Sequence, residues 1–165
     1  SKEVAMFELT EEQRMLRDKV RRLARERIAP IASKIDEEEA FPEESYRAFV
    51  ENGLLTLTLP EKFGGGDADA TTLCLVIEEM AKASAASALM VFSTQAVYRV
   101  IHEVGSEEQK NRFFTDIARG DRLASFVLTE PDFGSDAGAI RTKAVQILDG
   151  TNQIQRIVIA RNIIE

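Results

Sequence analysis

The chain has 165 residues, 44% apolar and 30% charged, which is enough apolar material for one buried core, with or without a tail. A net charge of -7 and the absence of any long basic run argue against nucleic acid as the main partner, because phosphate binding needs clustered Lys and Arg. No apolar run reaches membrane-spanning length and no signal-peptide pattern opens the sequence, so neither a membrane span nor secretion is expected.

The single cysteine, Cys74, excludes an intramolecular disulfide and reads as a small buried residue of a reducing compartment. His102 is the only histidine, which removes Ser-His catalysis and multi-His metal sites; no metal is expected. Its place near the end of a helical pattern suggests a surface or capping role.

Taken in chain order, Thr10 and Gln13 form a capping box that opens a helix with Leu16, Val20, Leu23, Ala24 and Ile28 at helical spacing. Pro30 closes this helix or opens the next, which carries Ile31 and Ile35 before a solvated acidic run, Asp36 to Glu39. A third helix starts at Phe41-Pro42, turns Tyr46, Phe49 and Val50 inward, and stops at Gly53. Leu54 to Leu59 reads as a short extended segment. Gly64, Gly65 and Gly66 then mark a mobile loop, and no Gly-Lys-Ser/Thr follows to make it a phosphate loop.

Thr71 to about Ala83 and Ser84 to Val104 read as two further helices; the small residues Ala85 to Ala88 permit close packing in the second. Ser106 and Gln109 form another capping box, opening a helix with Phe113, Phe114 and Ile117 that Gly120 stops. The fold class is therefore all-α: a helical bundle over residues 1–120, then a short extended segment and a C-terminal helix.

Ser125 to Asp136, SFVLTEPDFGSD, is where function is sought. Phe126, Val127 and Leu128 are strand-like, Pro131 interrupts regular pairing, and Gly134-Ser135-Asp136 is a small-residue loop. Exposed N–H groups and small hydroxyls there suit a phosphate or the polar edge of a ring, but on composition alone an ordinary strand and turn is the favoured reading. Ile140 to Val145 reads as a second extended segment. Asp149-Gly150 reads as a turn feeding a terminal helix with Ile154, Ile157, Val158 and Ile164.

Residues 7–145, with F-x-L-T-E-E-Q, the helical stretch and then T-E-P-x-x-G-S-D, resemble the start of the acyl-CoA dehydrogenase family. Residues 146–165 resemble its far end, where Q-I-x-E-G-T-N-Q-I-Q-R carries the catalytic carboxylate. The resemblance divides the chain into an N-terminal helical domain (1–120), a truncated start of the middle β domain (121–145) and a C-terminal catalytic-loop and helix remnant (146–165). In the family a β-barrel domain and most of a second helical bundle separate the two motifs; here Val145 runs directly into Gln146.

The resemblance implies an FAD-dependent dehydrogenase that introduces an α,β double bond into an acyl-CoA thioester. A carboxylate takes the α proton while the β hydrogen leaves as hydride to FAD. By that likeness Phe126, Leu128, Thr129, Gly134, Ser135, Thr151 and Gln153 contact FAD, and Ser135 and Gly150 contact acyl-CoA. Asp149 falls at the base position, one methylene shorter than the glutamate of many members, and a displacement of about 1 Å there can cost on the order of a hundredfold in rate. The implied acceptor is an electron-transfer flavoprotein, the full-length protein is expected to be a homo-oligomer, and the compartment is a bacterial cytoplasm or the mitochondrial matrix. The competing reading is a non-catalytic helical module that has lost flavin binding.

Overall fold

The computed structural model describes residues 8–141, all helix, turn and irregular segments. Six α-helices make up most of it: α1 (Glu11–Leu23), α2 (Ala29–Glu37), α3 (Glu43–Glu51), α4 (Ala70–Ala81), α5 (Ala85–Val104) and α6 (Glu107–Ala118). Among the described residues there is no β-strand.

Both expected capping boxes form. Thr10 Oγ1 accepts the Gln13 N–H at 3.1 Å while Gln13 Oε1 accepts the Thr10 N–H, and Ser106 and Gln109 repeat the exchange at α6. Gln13 does more: its Nε2 donates to Thr72 Oγ1 at 3.2 Å, and Asp69 caps α4 by accepting the Thr72 N–H at 2.7 Å. The starts of α1 and α4 are thus tied together by their own caps.

Pro30 does not break the first helical run. A π turn, Ala24–Ile28, joins α1 to α2, and Pro30 sits in the first turn of α2. A proline ring crowds the carbonyl four residues back, and a widened turn just upstream makes room for it. The result is one continuous rod whose inner side keeps Val20, Ala24 and Ile28 buried.

The core has two adjoining parts. The first gathers Val20, Ala24 and Ile28 of the rod, Phe49 of α3, Leu54 and Leu55, Val76 and Met80 of α4, and Val91 of α5. The second centres on Phe114 of α6, which meets Phe63 and Tyr98 edge-on at centroid distances of 4.9 and 5.8 Å. The 20-residue α5, about 30 Å long, runs through both and acts as the central post. At the far end of α6, Gly120 adopts φ +76°, and Tyr46 Oη donates to its carbonyl at 2.7 Å, pinning α3 to the α6 terminus.

Leu54 to Leu59 is not extended. Leu54–Thr56 is a 3-10 turn, and the segment coils back so that Leu54, Leu55, Leu57 and Leu59 are all buried. An extended run points alternate side chains to opposite faces and needs neighbouring strands; with only helices around it, a tight coil buries all four leucines. Two of its carbonyls, those of Leu54 and Leu55, accept from Gln95 of α5 instead of from a sheet.

The three-glycine loop is likewise fastened, not loose. Gly65, Gly66, Asp67 and Ala68 donate backbone N–H groups to the carbonyls of Pro60, Thr56, Leu59 and Leu57. Cys74 is exposed, contrary to expectation, because α4 turns Val76 and Met80 to the core and leaves residue 74 on the outer side. The acidic run Asp36 to Glu39 is exposed as expected.

Among the described residues one carboxylate is buried. Glu79 on α4 accepts from Arg21 Nε and Nη2 at 3.0 and 2.9 Å and from Lys82 Nζ at 2.9 Å. The Arg21 hydrogen bonds, helped by Lys82 and opposed by burial, hold its carboxyl at about 2 against an ordinary 4.5. A folded-state value below the unfolded one stabilises above about pH 4.5, and that stabilisation is lost as pH falls towards about 2. Glu79→Gln is expected to cost about 2 kcal/mol at neutral pH in urea unfolding, and the gap from wild type should close as pH falls through that window. A gap independent of pH would mean that the pair adds no charge-dependent stability.

Candidate functional site

After Gly120 the chain is anchored at Leu123 and Ala124, which pack against the two parts of the core. Ser125 to Leu128 then runs out over the surface without regular structure. The strand expected at Phe126–Leu128 does not form: a strand needs a neighbour for its N–H and C=O groups, and the described residues supply none. Phe126 and Val127 are each 43% exposed, two adjacent large apolar side chains facing solvent, while Leu128 is half-buried.

From Glu130 the segment folds on itself. Glu130 and Phe133 exchange backbone hydrogen bonds at 2.9 and 3.3 Å around Pro131-Asp132, a tight reversal that the proline favours. The Arg141 N–H donates to Glu130 Oε2 at 3.0 Å, and its guanidinium lies over the Phe133 ring at 5.1 Å. Gly134 faces Thr129 so closely that an added Cβ would lie 3.7 Å from Thr129 Cγ2. The loop therefore closes with Thr129 and Gly134 side by side.

Thr129, Gly134 and Ser135 are exposed, and among the described residues their backbone N–H groups donate to no protein acceptor. Two hydroxyls and a row of free N–H donors on a closed loop can hydrogen-bond a polar ring edge or a phosphate, and exposed Phe126 and Val127 add an apolar surface. Of the sequence-predicted site residues, the structure thus brings Thr129, Gly134 and Ser135 together, with Phe126 and Leu128 on the stretch leading in. Asp149, Gly150, Thr151 and Gln153 lie outside the described residues.

A second feature was not legible beforehand. A groove of about 370 Å³ opens between α5 and the loop that leads into α4. Leu59, Pro60 and Leu73 form one wall, and Phe92, Ala96 and Arg99 of α5 line the other. His102 and Glu103 stand at one end, and His102 is exposed in the last turn of α5. Phe92 is half out of the protein although its neighbour Val91 is fully buried. A large aromatic one residue away from the core stripe is the signal that marks this wall. Tyr98 also borders the groove; its hydroxyl is buried without a protein partner, and burial pushes it above the usual phenol range. Among the described residues no group of three or more His, Cys, Asp or Glu side chains is placed to hold a metal ion. None of the described helices is long and apolar enough to cross a membrane.

Fold and loop together define a class, a helical domain of the acyl-CoA dehydrogenase type, and comparison with known proteins agrees. The sequence model for the acyl-CoA dehydrogenase N-terminal domain matches residues 10–121. The probable acyl-CoA dehydrogenase YngJ of Bacillus subtilis is 39% identical over 140 residues, which cover 84% of this chain and 37% of that protein. Butyryl-CoA dehydrogenase from Megasphaera elsdenii superposes with a TM-score of 0.74 at 28% identity, over 82% of this chain and 37% of that one. A structure described as the electron transferring flavoprotein of Acidaminococcus fermentans gives 0.72 at 29% identity, over 81% and 35%.

The chain belongs to the acyl-CoA dehydrogenase family. It spans a little over one third of the length of these relatives.

Proposed function

We propose that this chain carries the N-terminal helical domain and part of the flavin-facing segment of an FAD-dependent acyl-CoA dehydrogenase, the enzyme class that places an α,β double bond in an acyl-CoA thioester. The observation that carries this reading is the T-E-P-x-x-G-S-D loop at the end of the helical domain, closed on itself with the N–H groups of Thr129, Gly134 and Ser135 undonated. Those donors fit the carbonyl edge of a flavin or its phosphates, and the apolar side chains of Phe126 and Val127 fit its ring plane. FAD, when bound, supplies the acceptor for the β hydride.

The chain's own residues bind and orient. Thr129 offers its hydroxyl and N–H to the ring edge, Ser135 offers a hydroxyl to flavin or substrate, and the α5 groove offers apolar walls to an acyl chain. Asp149 is the candidate base for the α proton, with Gly150 toward acyl-CoA and Thr151 and Gln153 toward FAD. By the same reading the acceptor is an electron-transfer flavoprotein and the compartment is the bacterial cytoplasm, which the bacterial origin of the relatives favours over the mitochondrial matrix. The division into 1–120, 121–145 and 146–165 stands as part of this proposal.

The purified chain is expected to retain FAD, seen as a visible flavin band and quenched flavin fluorescence. Thr129→Val and Ser135→Ala should each weaken binding about tenfold, the size of one lost hydrogen bond to a polar ligand. Asp149→Asn should leave FAD bound and abolish bleaching of the band by acyl-CoA. A folded chain without flavin would favour the alternative, a non-catalytic helical module; that alternative rests on a core that closes over α1 to α6 without residues 125–141.

A further inference from the structure

The hydrogen-bonding side chains on the α5 groove fall into two sets. Thr58 and Gln95 use each other: Thr58 Oγ1 donates to Gln95 Oε1 at 2.7 Å, so neither waits for a ligand. Arg99, His102 and Glu103 are exposed and make no ion pair or hydrogen bond among the described residues. Arg99 and Glu103 stand one turn apart on α5 and still do not pair. A cation four residues before a carboxylate is the weaker order for a helical ion pair. The guanidinium is therefore left open beside an apolar groove.

Phe92 and Arg99 lie two turns apart on one face of α5, so about 10 Å of apolar wall leads up to the guanidinium. Ala96 between them adds little bulk, and Pro60 and Leu73 face them across the groove. Its volume of about 370 Å³ falls within the range of small-molecule sites, roughly 300–1,000 Å³, which combine apolar walls with a few polar groups. A guanidinium presents a planar fork of N–H donors that a carboxylate meets with two parallel hydrogen bonds. The walls ask for a hydrocarbon, and the open cation at their end asks for an anion.

We infer that this groove takes an apolar chain ending in a carboxylate, with the chain along Phe92, Ala96 and Leu73 and the carboxylate on Arg99. His102 stands three residues beyond Arg99 and offers a further ring N–H. Glu103 lies at the same end and repels the anion, which limits the affinity. Two sources carry this chemistry, a free fatty-acid anion and the far end of a dicarboxylic acyl thioester. The inference rests on the reading of the groove as an acyl-chain site and does not depend on flavin.

The test is a titration of the 165-residue chain with octanoate and with octanol, followed by NMR. Octanoate is expected to bind about tenfold more tightly and to shift the signals of Leu73, Phe92 and the Arg99 Nε–H. Arg99→Met should bring octanoate down to the level of octanol, and Arg99→Lys should keep part of the preference. Glu103→Gln should tighten octanoate by about threefold, and Phe92→Ser should weaken both ligands. These side chains are exposed, so each variant is expected to fold, with helical circular dichroism as the check. Suberoyl-CoA against octanoyl-CoA separates the sources. Tighter binding of suberoyl-CoA, lost in Arg99→Met, assigns the thioester; a preference confined to octanoate assigns the free anion. Chain binding without a carboxylate preference in either pair would overturn this inference and leave the acyl-chain reading standing. Binding of no chain at all would overturn both.

Discussion

Gln95→Leu should lower the unfolding free energy by about 3 kcal/mol. Gln95 is buried in α5, and its amide serves four groups of the coil that replaces the expected strand. Nε2 donates to the carbonyls of Leu54 and Leu55 at 3.2 and 2.9 Å, and Oε1 accepts from the Thr58 N–H and hydroxyl at 3.1 and 2.7 Å. Leucine keeps the volume and removes all four bonds at once. Buried backbone groups then lose their partners where water enters poorly, and each orphan costs about 1–3 kcal/mol, partly relieved by relaxation. Thr58→Val removes only one of the bonds and should cost about 1 kcal/mol. Urea unfolding of the two variants side by side checks this; equal losses would mean that Gln95 acts by packing alone.

Gly65→Ala should cost a similar amount, about 3 kcal/mol, by a different route. A Cβ built on Gly65 would lie 1.9 Å from the Leu59 carbonyl oxygen, far inside contact distance, and the obstacle is backbone. Relief requires opening the loop whose N–H groups from Gly65 to Ala68 reach back to residues 56–60. Since Leu59 is fully buried beside Phe114, the disturbance reaches the core. Gly64 is the control. Its φ of +83° favours glycine, but an added Cβ meets only Ala118 Cβ at 3.8 Å, so Gly64→Ala should cost about 1 kcal/mol. Thermal or urea midpoints that rank the two in the opposite order would contradict this account.

The helices were legible because their signals are local. Thr10 with Gln13, and Ser106 with Gln109, announce their own helix starts, and both exchanges are found in place. Gly53 and Gly120 stop α3 and α6 in the left-handed conformation that glycine favours. The two strand expectations failed for one reason: Leu54–Leu59 and Phe126–Leu128 have strand-like composition, but pairing is decided by what lies beside a segment. Gln95 and the core claimed the first; the second meets no partner among the described residues. The groove at Phe92 and Arg99 escaped notice because its two walls lie some thirty residues apart in sequence.

The sequence by itself determined the helical class, the positions of the caps and stops, and the family, because periodicity, capping chemistry and the T-E-P-x-x-G-S-D motif are written within a few residues of where they act. Tertiary structure alone decided which polar groups the core would tolerate, that Glu79 would be buried between Arg21 and Lys82, and that Gln95 would stand in for a sheet. It also decided that Cys74 would face solvent and that the loop from Thr129 to Ser135 would close through the paired backbones of Glu130 and Phe133. The physical reason is the same in each case: burial and hydrogen-bond satisfaction depend on residues distant in sequence, and only the packed chain brings them into reach.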